Sequence, residues 1–157
     1  MLTYREHVLE SASAVDLVVA LYDGMIRFLY AAAEAADHGD EEGRRRSVKR
    51  ALDIIIHLQA RLRMDIGGRP AQALSEFYAS IFAEILQASH GASRAKFEHA
   101  IECIRTVREA WKQVAIESGQ VQAGFKAGAD AHANSGSRVA SHEVGRPSSS
   151  ARIEWTV

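Results

Sequence analysis

The chain has 157 residues, enough for one domain with its own core and too few for two. Hydrophobic residues make up 47% and charged residues 25%, the profile of a water-soluble globular protein, and a formal net charge of −1 provides no electrostatic attraction to nucleic acid or to an anionic membrane. A single cysteine, Cys103, excludes an intramolecular disulfide, the first ten residues lack a secretion signal's apolar centre, and no run reaches the length of a membrane span, so the chain reads as cytoplasmic with no membrane insertion.

Residues 1–12 place Leu2, Tyr4, Val8 and Leu9 among charged neighbours, and they are expected to form a short N-terminal arm that packs back on its own domain. A long helix follows over residues 14–36, with Ser13 as its expected N-cap. At 3.6 residues per turn its polar side chains fall on one strip, Asp16, Asp23, Arg27, Tyr30 and Glu34. Val18, Tyr22, Met25, Ile26 and Leu29 fill one apolar face, while Leu17, Leu21, Gly24 and Phe28 form a second, offset one. A surface helix carries a single apolar stripe, so this helix must meet partners on two sides. Gly24 in its interior costs about 1 kcal/mol relative to Ala, which close approach of another backbone would justify.

Gly39 ends that helix and Asp40 caps the next, with Glu41 and Glu42 in its first turn. Residues 41–64 set Val48, Ala51, Leu52, Ile55, Leu58 and Leu62 on one stripe, with Ile54 and Ile56 to either side, and Gly67-Gly68 closes the segment. The third helix, about residues 70–89, turns Leu74, Phe77, Tyr78, Ile81, Phe82 and Ile85 inward before His90-Gly91. The fourth, about 93–117 with Ser93 as cap, presents Phe97, Ile101, Ile104, Val107, Arg108 and Trp111. Four amphipathic helices joined by short turns imply an all-α, antiparallel four-helix bundle over residues 13–118. Residues 119–157 are rich in Gly, Ala and Ser without apolar periodicity and read as a disordered, flexible tail.

A helical bundle raises the question of a carboxylate-bridged metal pair, which needs Glu and Glu-x-x-His from facing helices. No histidine here sits three residues after a Glu on an apolar stripe, so no metal and no cofactor is expected. Cys103 lies off the main stripe with no base in view and reads as a bystander thiol. The run Arg44, Arg45, Arg46, Lys49 and Arg50 lies beside Asp40, Glu41 and Glu42, as on a solvated, charge-mixed face. With no catalytic constellation, the excess apolar surface points to binding of another polypeptide rather than to an enzyme. Self-association through Leu17, Leu21, Gly24 and Phe28, making the chain a dimerising structural or regulatory module, is the alternative.

Several stretches resemble the flagellar export chaperone family FliS, in order and at matching spacing from about residue 4 to 112. They are Leu21-Tyr22-Asp23-Gly24-Met25-Ile26-Arg27-Phe28-Leu29, Gly39-Asp40, Ala51-Leu52-Asp53-Ile54-Ile55, the LRMDIGG run from Leu62 to Gly68, and Val107-Arg108-Glu109-Ala110-Trp111. The resemblance implies a cytosolic chaperone without enzymatic activity, monomeric when free. It would bind the disordered C-terminal segment of flagellin, prevent premature polymerisation and deliver it to the export apparatus, with export gate components as further partners. The client groove it suggests is lined by Tyr4, Val8, Leu9, Leu17, Leu21, Gly24, Phe28, Ile54 and Ile56. Two departures stand out: Ala14 replaces a proline usual in the family after the Ser13 position, and Phe77-Tyr78-Ala79-Ser80 replaces a more typical Leu-Tyr-Asp-Tyr.

Overall fold

The computed structural model describes residues 4–132, with the side chains of residues 4, 5, 7–13, 118 and 120–132 outside the description. Four helices make up this region: α1 (Tyr4–Asp37), α2 (Glu41–Ala60), α3 (Gly68–His90) and α4 (Arg94–His132). Each packs against the next, and α4 closes back on α1, so α1 and α3 stand diagonally across the core. Cross-helix pairs fix the sense of packing. Asp37, Tyr30 and Asp23 of α1 meet Arg94, Arg105 and Arg108 of α4 in that order, so the two helices run antiparallel. This is the expected all-α bundle.

The turns follow from local chemistry. Gly39 takes a φ of +66°, and the N–H groups of Gly39 and Asp40 reach back to the carbonyls of Ala36 and Ala35 at 3.3 and 2.9 Å, satisfying the end of α1. The Asp40 carboxylate then accepts from the Gly43 N–H at 2.9 Å and caps α2. Ser93 does the same for α4, accepting from the Lys96 N–H at 3.3 Å. At the end of α3 the same closing pattern recurs, with Ala92 and Ser93 bonding to the carbonyls of Ser89 and Ala88. There the left-handed residue is Ala92, φ 45°, while Gly91 keeps an ordinary φ of −83°.

Three boundaries differ from expectation. α1 runs without a break from Tyr4, so residues 4–12 continue the helix and Ser13 lies inside it instead of capping it. Ala14 explains this: a proline there would remove a backbone donor and clash with the preceding turn, a cost of about 3 kcal/mol in a helix interior, whereas alanine continues the helix. α2 ends at Ala60 rather than at residue 64, its last turn closed by the N–H groups of Arg61 and Leu62 bonding to Leu58 and Gln59. α4 continues to His132, beyond the expected end at 117. Residues 133–157, the rest of the expected tail, lie outside the described residues.

The core follows the stripes. Val15, Val18, Tyr22, Met25, Leu29, Ala32 and Ala33 of α1 meet Val48, Ala51, Ile55 and Leu58 of α2, Tyr78, Ile81, Ile85 and Ala88 of α3, and Phe97, Ala100, Ile101, Ile104 and Trp111 of α4. Alanines at Ala32, Ala33, Ala51, Ala88 and Ala100 are buried within it and let the helices approach closely.

Candidate functional site

Tyr22, Asp23 and Gly24 are consecutive, so their directions differ by about 100° each around the helix axis. Each reaches a different neighbour. Tyr22 is fully buried, and its hydroxyl lies 2.8 Å from that of Tyr78 on α3. The Trp111 indole N–H of α4 also reaches the Tyr22 hydroxyl, and since an indole can only donate, Tyr22 accepts there. Burial pushes the pKa of both tyrosines above the ordinary value, so both stay neutral at any physiological pH.

Asp23 receives a fork from Arg108: Nε donates to one carboxylate oxygen and Nη2 to the other, the latter at 3.1 Å. The Arg108 side chain is only 20% exposed, and this carboxylate is the main reason its guanidinium is held more firmly charged than usual. Further along the same seam, Arg105 donates to the Tyr30 hydroxyl at 2.8 Å and Arg94 pairs with Asp37. The polar strip of α1 is thus a partner-bearing seam as well as a solvated one. Its cationic half comes from α4, and nothing in the local α1 sequence could announce that.

Gly24 faces α2. A side-chain carbon placed on it would come within 3.2 Å of Ile54 Cδ1, closer than nearly all real contacts, so the glycine is what lets Ile54 lie against the α1 backbone. One turn on, the Phe28 ring is covered by two guanidiniums, Arg27 at 5.4 Å and Arg50 of α2 at 5.6 Å. Leu21, Phe28 and Ile54 are only partly buried, and Leu17 is 47% exposed. Leu17, Leu21, Gly24, Phe28 and Ile54 therefore form one apolar strip along the α1–α2 seam, half sunk in the bundle and half open.

Ile56 does not join it. It is 55% exposed and sits about 200° around α2 from Ile54, on the flank where Gln59 donates to Ser75 of α3 at 2.8 Å. Tyr4, Val8 and Leu9 belong to the first part of α1, and their side chains lie outside the described residues. The basic run of α2 is largely spent on its own helix, Arg45 with Glu41, Arg46 with Glu42 and Lys49 with Asp53, as a solvated face should be. Arg50 is the member that turns to the apolar strip.

A bundle whose first helix is held on three sides, and whose second apolar face stays half open, has the form of a helical polypeptide-binding chaperone. Comparison with known proteins agrees: residues 1–118 match the family described as Flagellar protein FliS. The flagellar secretion chaperone FliS of Vibrio cholerae serotype O1 is 33% identical over 109 residues, covering 69% of this chain and 80% of the relative. That of Salmonella typhimurium is 31% identical over 110 residues, 69% and 82% of the two chains, and that of Bacillus subtilis 25% over 115 residues, 73% and 84%. The chain belongs to the FliS family of flagellar secretion chaperones, which are not enzymes. Among the described residues no helix is long and apolar enough to cross a membrane.

Proposed function

We propose that this chain holds the C-terminal segment of flagellin in the cytoplasm before export, and that the strip formed by Leu17, Leu21, Gly24, Phe28 and Ile54 is a principal seat for it. The observation that carries this reading is the 47% exposure of Leu17 at the end of a continuous apolar row on a helix already anchored by its other faces. An amphipathic segment docking by one apolar face needs such a row, and a disordered client gains from it the burial that offsets its ordering cost. The guanidiniums of Arg27 and Arg50 over Phe28 give that end of the strip a positive rim, suited to a client residue with a carboxylate. In this reading the free protein is a monomer, one copy takes one client, and release occurs at components of the export gate.

Calorimetric titration of the full chain with a flagellin C-terminal peptide tests the seat. Leu17→Asp places a charge at an exposed position, so the helix content and melting curve stay as in the parent. Covering that charge without a partner weakens binding by tenfold or more, about 1.4 kcal/mol per decade. Unchanged affinity in the folded variant moves the seat elsewhere. Light scattering belongs to the same experiment: a dimer of the free chain that Leu17→Asp dissolves would make the strip a self-association face instead.

A further inference from the structure

On the opposite seam of the bundle, between α3 and α4, three different metal-binding side chains converge. A carboxylate oxygen of Glu84, a ring nitrogen of His99 and Sγ of Cys103 all lie within 4.8 Å of one another. His99 and Cys103 are four residues apart on α4, which stacks them on one face, and Glu84 reaches across from α3 to accept a hydrogen bond from His99 Nδ1. The Glu84 side chain is 23% exposed and the His99 side chain 68%, so the cluster opens to solvent on its His99 side.

We propose that Glu84, His99 and Cys103 form a zinc site that ties α3 to α4. A thiolate, an imidazole and a carboxylate are the three ligand types Zn²⁺ takes, and three protein ligands leave a fourth tetrahedral position for water. Magnesium and calcium prefer shells built from oxygen, so a sulfur and a nitrogen donor argue against them. With zinc–ligand bonds of about 2.0–2.3 Å, tetrahedral donors sit roughly 3.3–3.8 Å apart. The most separated donors must close by about 1 Å, while Glu84 and His99, now in direct hydrogen-bond contact, must open to admit the ion.

The charge balance favours a dication. Binding brings the Glu84 carboxylate and a Cys103 thiolate, two negative charges, to a doubly charged cation, and the thiol gives up its proton. Zinc replaces that proton: the S–H bond breaks, a Zn–S bond forms and one H⁺ leaves to solvent, with no change in oxidation state. The site lies across the bundle from the α1–α2 strip, so an occupied site leaves the proposed client seat open. Spacing within one helix could not reveal it, because its ligands are divided between two helices.

Cobalt(II) titration of the reduced full chain is the test. Cys103 is the only cysteine in the sequence, so a thiolate-to-cobalt charge-transfer band reports this residue alone. The expected result is that band together with visible bands of tetrahedral intensity, saturating at one cobalt per chain and lost on adding zinc. Zinc affinity, measured against a chromophoric chelator, falls at least tenfold in Glu84→Gln and in His99→Asn while circular dichroism is unchanged. Zinc raises the melting temperature of the parent and leaves that of Cys103→Ser where it was. Absence of the thiolate band, parental zinc affinity in either ligand variant, or saturation at half an equivalent with dimer formation would each overturn the site.

Discussion

The hydroxyl oxygens of Tyr22 and Tyr78 meet at 2.8 Å in the middle of the bundle, joining α1 to α3 across the diagonal, with the Trp111 indole as a third member. A polar knot in an otherwise apolar core is stable only while every member is satisfied. Tyr78→Phe is expected to cost about 1–2 kcal/mol at neutral pH by stripping Tyr22 of a buried partner. Trp111→Phe costs about 1 kcal/mol and Trp111→Ala about 3–5 kcal/mol, because the latter also empties the volume that closes α4. Urea unfolding of the three variants checks the order; a Tyr78→Phe protein as stable as the parent would mean the hydroxyl pair contributes nothing.

The same pair predicts an alkaline weakness. Both tyrosines have folded-state pKa values raised above the ordinary 10.0. The folded state therefore holds these protons more tightly than the unfolded one, and the resulting stability is complete below about pH 10 and lost as pH rises past it. Each such tyrosine adds a slope of about 1.4 kcal/mol per pH unit above that point. Measured between pH 9 and 11, the decline should be shallower in Tyr78→Phe than in the parent by about one such increment. Parallel slopes would show that Tyr78 is not the group responsible.

Gly24 separates a helix-propensity effect from a packing effect. Gly24→Ala regains about 1 kcal/mol of helix propensity, against one tight contact with the end of the Ile54 side chain. Ile54 is only partly buried and can give way, so the expected net change is a small stabilisation, about 0.5 kcal/mol. Gly24→Leu has no such room and should lose about 1–3 kcal/mol by prying α2 from α1. Thermal unfolding decides: an alanine variant that loses more than 1 kcal/mol would show the seam to be rigid.

Ala92 holds a left-handed backbone, φ 45°, that costs an L-residue about 1–2 kcal/mol. Ala92→Gly relieves this while adding unfolded-state entropy worth about 0.4–1 kcal/mol, leaving an expected gain of about 0.5–1 kcal/mol. Its midpoint in denaturant should rise with no change in slope. A destabilised glycine variant would mean the turn between α3 and α4 relaxes readily around alanine.

Truncation after Ser118 removes residues 119–132 of α4 together with everything beyond. The last α4 residues packed on the core among those described are Val114 and Ala115. Mean helicity per molecule should drop in far-ultraviolet circular dichroism while the melting midpoint stays within a few degrees. A large fall in the midpoint would show that the end of α4 packs on the bundle.

The helices, their facing stripes, the Gly39 and Asp40 turn, the Ser93 cap and the bundle itself were legible in the sequence. All of them depend on residues within a few positions of one another, whether one turn of helix or one cap. The second apolar face of α1 was legible for the same reason. Its neighbours were not. That Asp23 belongs to Arg108, Tyr22 to Tyr78 and Gly24 to Ile54 depends on how four rods are turned about their axes, and no local pattern encodes that rotation. Ile54 and Ile56 are equally apolar in sequence, yet only Ile54 meets Gly24, because two residues of helix place them on opposite flanks. The convergence of Glu84, His99 and Cys103 is of the same kind: helix periodicity aligned two of the three, and the packing of α3 on α4 supplied the third.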